Sequence, residues 1–269
     1  MIRTVRGGLA LTVLLAGTMV LAQAPAQAPA RAAAWETLID GSSFADRDAL
    51  IAEWNFRYPW GSDHNGSARM YASATDNNHV YLSPSGQLNI KATRITWDEG
   101  TSSADPHLPI RYHSGAIHAK DQVLVNDQFP NYEVRGEFQA PSTRGTWPAF
   151  WLTGANSWPP ESDILEYKGD ARNWFNTYDG AWDNTIVAVS NPAAWHEYRV
   201  WITKVNATDV DIHYYLDGQW KGQHRGSNFV GKPMWLIINL QMEGSSGSPG
   251  PTAETLYRAR NIYLGRTRN

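Results

Sequence analysis

Cysteine is absent from the 269-residue sequence, and charged residues make up only 18% of it. The lack of cysteine excludes a disulfide scaffold, a zinc–thiolate or iron–sulfur site and a cysteine nucleophile. No segment repeats at a fixed period, which argues against a solenoid or a propeller. Hydrophobic residues account for 42% of the chain, enough for a packed core, so a disordered chain is excluded as well.

Tryptophan, in contrast to cysteine, is abundant in the sequence. The sequence contains 13 Trp, 12 Tyr and 7 Phe, and every Trp lies after residue 34. Because Trp side chains either pack in cores or stack on flat ligands, we expect part of this excess to form a binding surface.

The N-terminal segment, residues 1–34, has the pattern of a signal peptide. A basic start precedes the apolar run Leu9–Ala22, and small-residue cleavage motifs follow, those ending at Ala32 and Ala34 being favoured. The run has 14 residues, which fits a signal-peptide core and is short for a membrane span. A membrane anchor with a Pro/Ala linker is the alternative. We therefore predict a secreted protein, extracellular or periplasmic, without membrane attachment after cleavage.

Removal of this segment changes the charge balance. It takes away Arg3, Arg6 and Arg31 and no acid, so 20 basic residues remain against 26 acidic ones, a net charge of −6. A surface of this sign repels phosphates, so we predict no nucleic-acid partner. We also expect a monomer.

Period-two alternation of apolar and aromatic residues predicts strands along the rest of the chain. The dipeptide Asp217-Gly218 predicts a hairpin between Val210–Leu216 and Gln219–Gln223, and the helical candidate is Asp46–Glu53. Many short strands without a dividing linker predict one all-β domain over residues 35–269, an antiparallel β-sandwich of the jelly-roll type. The other predicted strands are Gln87–Thr93, Tyr132–Ala140, Trp147–Thr153, Asn184–Val189, Trp195–Thr203, Met234–Met242 and Leu256–Leu264.

Three carboxylates, Glu161, Asp163 and Glu166, lie close together in the sequence. On a regular strand Glu161 and Asp163 share a face, about 7 Å apart, whereas Glu166 points the other way. One β-bulge within Ile164–Leu165 would return Glu166 to that face. A pair of converging carboxylates, about 5–5.5 Å apart, is what retaining glycoside hydrolysis needs. The same segment also fits a short helix, with Pro early, acids in the first turn and Gly as a stop, and spacing alone leaves both structures open.

The order of the motifs resolves the choice. The segment Glu161–Glu166 matches the bulged signature E-x-D-x-x-E of glycoside hydrolase family 16, the laminarinase, lichenase and agarase group. From about Asn78 to Leu264 the chain resembles this family in further segments, in the same order, namely Tyr112–Lys120, Asn131–Arg135, Gly145–Leu152, Trp195–Trp201, Tyr215–Gly218 and Pro233–Leu240.

The resemblance implies roles for the three acids. Glu161 would be the nucleophile, Glu166 the general acid/base, and Asp163 the group that orients Glu161. It also implies a jelly roll with an open substrate cleft across its concave sheet, which suits attack within a polysaccharide.

Other residues of the matching segments are candidate sugar contacts. Trp147 and Trp151 share one strand face, where they could cover sugar rings, although core packing is the alternative for each. The full set of predicted substrate-binding residues is Arg135, Trp147, Trp151, Trp158, Asn176, Tyr178, Asn239, Gln241 and Glu243.

The resemblance leaves the substrate open. It favours a secreted, retaining endo-β-1,3-glucanase. However, Gln241 and Glu243 stand where related glucanases often carry a Trp or a Val-Gly-Gly turn, so a β-galactan hydrolase (β-1,3-galactanase, agarase or porphyranase) is the alternative. A non-catalytic carbohydrate-binding protein on the same fold, or an enzyme that transfers sugar to sugar, would use the same surface.

No cofactor or metal is predicted. The eight His show no metal-ligand spacing. Arg258 stands where many family members place an Asp that helps to hold a structural calcium, so the sequence does not support calcium either.

Overall fold

The computed structural model describes residues 34–269, and the predicted signal peptide lies almost entirely outside the described residues. Helix α1 spans Arg47–Glu53, and 3₁₀ turns span Gly41–Phe44 and Gly244–Ser246. No helix in the described part of the chain is long and apolar enough to cross a membrane. The strands are β1 (Ala34–Ile39), β2 (Trp54–Phe56), β3 (Ala68–Met70), β4 (Val80–Leu82), β5 (Leu88–Arg94), β6 (Tyr112–Ser114), β7 (Ala116–Ala119), β8 (Asn131–Gln139), β9 (Thr146–Gly154), β10 (Glu161–Glu166), β11 (Arg172–Tyr178), β12 (Trp182–Ala188), β13 (His196–Lys204), β14 (Val210–Leu216), β15 (Gln219–Gly226), β16 (Met234–Met242) and β17 (Thr255–Arg268).

These strands form two sheets. The ten-stranded sheet has the order β15-β14-β13-β8-β17-β5-β6-β3, with β1 beside β17 and β4 beside β5. The seven-stranded sheet has the order β12-β11-β10-β9-β16-β7-β2. Strands β3 and β6 pair in parallel, and the other pairings within residues 34–269 are antiparallel. The predicted all-β antiparallel sandwich is therefore confirmed.

The core lies between the two sheets, because each strand turns its apolar residues inward. Phe138 of β8 and Phe150 of β9 meet across the interface, with ring centroids 4.8 Å apart and no exposed surface on either side chain. Burial of these aromatic rings stabilises the packing of the seven-stranded sheet on the ten-stranded sheet. Packing of this kind takes the place of disulfides in a chain without cysteine.

Each of the nine strands predicted from the sequence is present, with boundaries within two residues except for β15 and β17, which continue to Gly226 and Arg268. The hairpin is confirmed: both Asp217 and Gly218 have positive φ, 51° and 71°, as a two-residue turn with primed geometry requires. Helix α1 begins one residue later than predicted because Asp46 is its N-cap, whose side chain accepts a hydrogen bond from the backbone N–H of Ala49. The strands that sequence patterning missed are mostly short.

Candidate active site

Strand β10 carries the three acids, in the middle region of the seven-stranded sheet. It pairs with β9 on one side and β11 on the other, so the helical alternative for this segment is wrong. The register to β9 shifts: Asp163 faces Trp151 while Leu165 faces Phe150, which leaves Ile164 as the extra residue of a bulge. The predicted bulge is thus present, and it turns Glu166 to the same face as Glu161 and Asp163.

The three carboxylates line one pocket. Its floor comes from the neighbouring strands β9, β10 and β16, and its wall from the loop between β2 and β3. The lining residues are His64, Asn65, Trp147, Ala149, Trp151, Glu161, Asp163, Glu166, Asn239 and Gln241.

Glu166 is held by three donors. Trp147 Nε1 donates to its Oε1 at 2.7 Å, and Asn176 Nδ2 donates to its Oε2 at 2.7 Å. Lys168 Nζ lies 3.0 Å from the same Oε2 and also sits 4.6 Å from the centroid of the Trp174 ring. These contacts fix the orientation of the carboxyl group, and the lysine offers a positive charge whenever that group is ionised.

The pKa values of Glu161 and Asp163 are raised above the usual values of these side chains. Burial raises the pKa of Glu161 to about 7, the charge of Glu166 adds to this rise, and the hydrogen bond from Trp158 Nε1 (2.8 Å) opposes it. Burial, followed by the two neighbouring carboxylates, raises the pKa of Asp163 well above its usual value. The pKa values of both neighbouring acids are thus raised, because burial and nearby like charges each disfavour the ionised form.

Comparison with known proteins identifies the family. No protein-family model matches the chain. A curated galactan endo-β-1,3-galactanase from Flammulina velutipes is 46% identical over 237 residues, which cover 87% of this chain and 91% of that protein. The solved structure of a non-specific endo-β-1,3(4)-glucanase of glycoside hydrolase family 16 aligns with a TM-score of 0.64 at 16% identity, covering 87% of this chain and 92% of that one. The chain belongs to glycoside hydrolase family 16.

A second solved structure has the same architecture as this family 16 protein. The endo-1,3-β-glucanase from Streptomyces sioyaensis aligns with a TM-score of 0.66 at 18% identity, covering 90% of this chain and all of that one. At this identity the alignment establishes the fold alone. The 46% identity to the relative from Flammulina velutipes makes the protein a glycoside hydrolase that acts as an endo-β-glycanase.

Most of the predicted sugar contacts lie at or beside the carboxylate pocket of this family 16 enzyme. Trp147, Trp151 and Asn239 line it, and Trp151 Nε1 donates to Asn239 Oδ1 at 2.7 Å. Trp158 stacks on Tyr178 at a centroid distance of 4.3 Å, beside Glu161. Trp158 is 56% exposed, so one face of this stacked pair is available to a ligand.

Asn176 has a different role from a simple sugar contact. Its Nδ2 donates to Asp163 Oδ2 and to Glu166 Oε2, each at 2.7 Å, so it bridges two of the three acids. Its Oδ1 is buried and has no hydrogen-bond partner among residues 34–269. The amide orientation follows from the two acceptors, and it positions both carboxyl groups.

Gln241 and Glu243 make several hydrogen bonds and ion pairs within the protein. Gln241 lines the pocket, but its Oε1 accepts from the backbone N–H of Ala68 (2.7 Å) and its Nε2 donates to the Ala68 carbonyl (3.2 Å). Glu243 is 2% exposed, pairs with Arg111 at 3.4 Å and accepts from the Gly250 N–H at 2.9 Å. These contacts hold the loops that flank the cleft.

The prediction that Arg135 contacts substrate does not fit the structure. Arg135 lies on β8 of the ten-stranded sheet, where it faces solvent on the side away from the core. Its guanidinium lies 4.7 Å from the Tyr263 ring centroid and pairs with Glu133 (3.5 Å) and Glu197 (3.8 Å). Alternation correctly gave its strand face, but the strand belongs to the other sheet.

Sequence reasoning missed several residues that surround the acids. His64 and Asn65 come from the loop between β2 and β3, and that loop carries no motif. Trp60 and Trp182, 47% and 51% exposed, line a recess that continues from the pocket past Trp158. The high Trp content of the sequence was the feature that could have pointed to these two residues. Nothing in the sequence marked His64.

Arg258 is hydrogen-bonded to uncharged side chains on neighbouring strands. Its Nε donates to Asn89 Oδ1 at 3.2 Å and its Nη1 to Gln139 Oε1 at 3.1 Å, so a guanidinium takes the oxygen atoms at this position. A divalent cation would be repelled here, and the residues at this position do not fit calcium. In the described part of the chain, no group of three His, Cys, Asp or Glu side chains is arranged to hold a metal ion.

Replacing Trp158 with Phe should shift the pH dependence of the reaction. In the wild type we expect kcat/KM to rise with pH through about 7 as Glu161 loses its proton. The hydrogen bond from Trp158 lowers the pKa of Glu161, so its loss raises that pKa and moves the acid limb to higher pH. Initial rates across pH 4–9 measure this limb. Trp182→Phe is the matched control. If the acid limb lay at the same pH in both variants, the hydrogen bond from Trp158 would not control the pKa of Glu161.

A hydroxyl network beneath β10 supports the site from the core side. Tyr214 Oη lies 2.7 Å from Ser162 Oγ and 2.8 Å from Thr177 Oγ1, and it donates to the Asn176 carbonyl at 2.7 Å. Tyr214→Phe should lower the free energy of unfolding by about 1–3 kcal/mol because it leaves buried polar partners unsatisfied. Urea denaturation measures the loss.

Tyr257→Phe provides the control for that variant. The Tyr257 hydroxyl is also buried but has no hydrogen-bond partner among residues 34–269. Its removal should therefore cost little or even stabilise the fold. Equal losses in the two variants would show that the Tyr214 network contributes nothing specific.

Proposed function

We propose that the protein is a retaining endo-β-1,3-galactanase. The observation that supports this choice is the 46% identity to a protein named galactan endo-β-1,3-galactanase, in an alignment that covers 91% of that protein. The glucanase structures are 16–18% identical and speak for the fold alone. The galactan alternative therefore takes precedence over the glucan substrate that the sequence motifs favoured.

The pocket supplies the groups that double displacement requires. In the first step the ionised Glu161 attacks the anomeric carbon, and Glu166 gives its proton to the departing glycosidic oxygen, leaving a glycosyl ester on Glu161. In the second step Glu166 takes a proton from water, which attacks the anomeric carbon and releases Glu161. Lys168 stabilises the Glu166 carboxylate between these steps because its ammonium lies 3.0 Å away.

Asp163 supports this cycle from beside the two glutamates. Burial and the neighbouring carboxylates raise its pKa, which disfavours a third negative charge beside the nucleophile. Asn176 donates hydrogen bonds to both Asp163 and Glu166, so a change in the charge of one carboxyl group alters the hydrogen bonding of the other.

Hydrolysis assays on a panel of polysaccharides test the substrate. Purified protein is incubated with β-1,3-galactan, laminarin, lichenan, agarose and porphyran, and reducing ends and product lengths are recorded. We expect rapid release of galacto-oligosaccharides of several lengths from β-1,3-galactan and much slower release from the others. Faster cleavage of laminarin would make the enzyme a glucanase. No product from any polymer would favour a binding protein, and products longer than the substrate would indicate transfer to sugar.

We also propose that the protein works outside the cytoplasm as a monomer, after removal of residues 1–34. The support is the signal-peptide pattern and the net charge of −6 that remains after cleavage. N-terminal sequencing of the exported protein tests the first point, and an uncut N-terminus would contradict it. Light scattering tests the second.

A further inference from the structure

The loop between β2 and β3 brings two polar side chains to the wall of the carboxylate pocket. His64 and Asn65 both line the pocket, and Asn65 also borders the recesses on either side of it. The His64 imidazole stacks on Trp151, with centroids 5.7 Å apart and planes inclined by 24°, and it packs against Tyr58 at 5.1 Å. The ring is therefore placed over the pocket floor by aromatic contacts rather than by hydrogen bonds.

The hydrogen-bonding capacity of these two residues is unused. Within residues 34–269 Asn65 Oδ1 is buried without a hydrogen-bond partner, and the half-buried His64 contributes its backbone carbonyl to a hydrogen bond while its ring makes none. The polar residues of the floor are largely committed: Asn239 Oδ1 to Trp151, and both polar atoms of the Gln241 amide to Ala68. Buried polar groups in native proteins nearly always have partners, so the unpaired Asn65 Oδ1, beside a His64 ring that makes no hydrogen bond and faces the same pocket, points to a ligand group.

The loop backbone is clamped, so the pair is preorganised. Asp63 accepts from Arg69 Nε (2.8 Å) and from the Ser103 N–H (2.9 Å). Ser102 Oγ donates to the His64 carbonyl at 2.8 Å. On the far side, a Cβ at Gly66 would come within 2.5 Å of Gln241 Cγ, so only glycine permits this close approach. A fixed loop can impose a choice between ligands that a mobile loop would lose.

We propose that His64 and Asn65 read the axial C4 hydroxyl of the galactosyl unit that occupies the catalytic pocket, which makes them specificity-determining residues. The proposal rests on the proposed function. Galactose and glucose differ only at C4, where the hydroxyl of galactose is axial and stands out of the ring plane. A neutral imidazole and an amide can both donate to and accept from such a hydroxyl. Burial lowers the pKa of His64 to about 4, which keeps the ring uncharged during catalysis.

A pair of matched substrates tests this role. An aryl β-1,3-galactobioside is compared with the analogue that lacks the C4 hydroxyl on the unit bearing the aryl group. We expect the wild type to prefer the complete substrate by about 10- to 100-fold in kcat/KM, because removal of the hydroxyl leaves its partners in the site without a hydrogen bond. In His64→Phe, which keeps the stacked ring but loses the polar atoms, we expect this preference to fall below about 3-fold. Asn65→Leu should reduce the preference as well, and His64→Gln should restore part of it.

Each outcome decides the proposal. Variants with the wild-type preference, or a wild type with none, would overturn it while leaving the galactanase assignment intact. A His64→Phe variant that slows both substrates equally would show a structural role only, and this too would overturn it. His213→Phe, on the ten-stranded sheet, should behave like the wild type. A wild type that cleaves neither the complete substrate nor β-1,3-galactan would remove the proposed function and this inference together.

Discussion

Glu161→Gln is expected to reduce hydrolysis of β-1,3-galactan by at least about 10⁴-fold while leaving the protein folded. The amide keeps the shape of the side chain and can keep the bond with Trp158, but it cannot form the glycosyl ester. Release of reducing ends measures the loss. Undiminished hydrolysis by this variant would show that Glu161 is not the nucleophile.

The same variant should be more stable than the wild type at neutral and alkaline pH. The pKa of Glu161 rises from 4.5 to about 7 on burial, so ionisation costs stability as the pH climbs through that interval. Gln removes this cost. We expect a gain on the order of 1–3 kcal/mol above pH 7 and little difference near pH 4, measured by urea denaturation.

Chemical rescue separates loss of the nucleophile from general damage. Glu161→Gly opens space beside the anomeric carbon, so azide can attack it from the vacated side. With an aryl β-galactoside of suitable length, azide should restore release of the phenol and give the α-glycosyl azide. Rescue that yields the β-azide, or none at all, would argue that another group is the nucleophile.

Glu166→Gln is expected to separate the two steps of the reaction. On β-1,3-galactan, whose leaving group needs a proton, we expect a loss of about 10²–10⁴-fold. On a substrate with a nitrophenol leaving group the first step needs no acid, so a burst of phenol equal to the enzyme concentration should appear. Slow turnover should follow because the base for the second step is missing. Stopped-flow absorbance measures both phases.

Azide again gives the diagnostic product for this residue. Being an anion that needs no base, it should accelerate the slow phase of Glu166→Gln and give the β-glycosyl azide. Glu254→Gln, an acid that is 63% exposed and pairs with Lys91 away from the pocket, is the control and should resemble the wild type. Equal losses on the polymer and on the nitrophenyl substrate would rule Glu166 out as the acid.

The sequence by itself determined the all-β class, the longer strands and the hairpin at Asp217-Gly218. These features follow from local causes, since side chains alternate with period two and an Asp-Gly pair tolerates positive φ. The resemblance of the Glu161–Glu166 segment to a bulged family signature also predicted the bulge, because on a strand only an extra residue brings the three acids to one face.

The tertiary structure decided which residues meet these acids. Alternation placed Arg135 on the correct side of its strand but could not say that β8 belongs to the ten-stranded sheet. Asn176 became a bridge between two acids through the pairing of β11 with β10, and His64 reached the pocket on a loop that crosses from the edge of the sheet. Periodicity reports the faces of one segment, whereas a site is built from segments that are distant in sequence, and contacts between them depend on the packing of the whole chain.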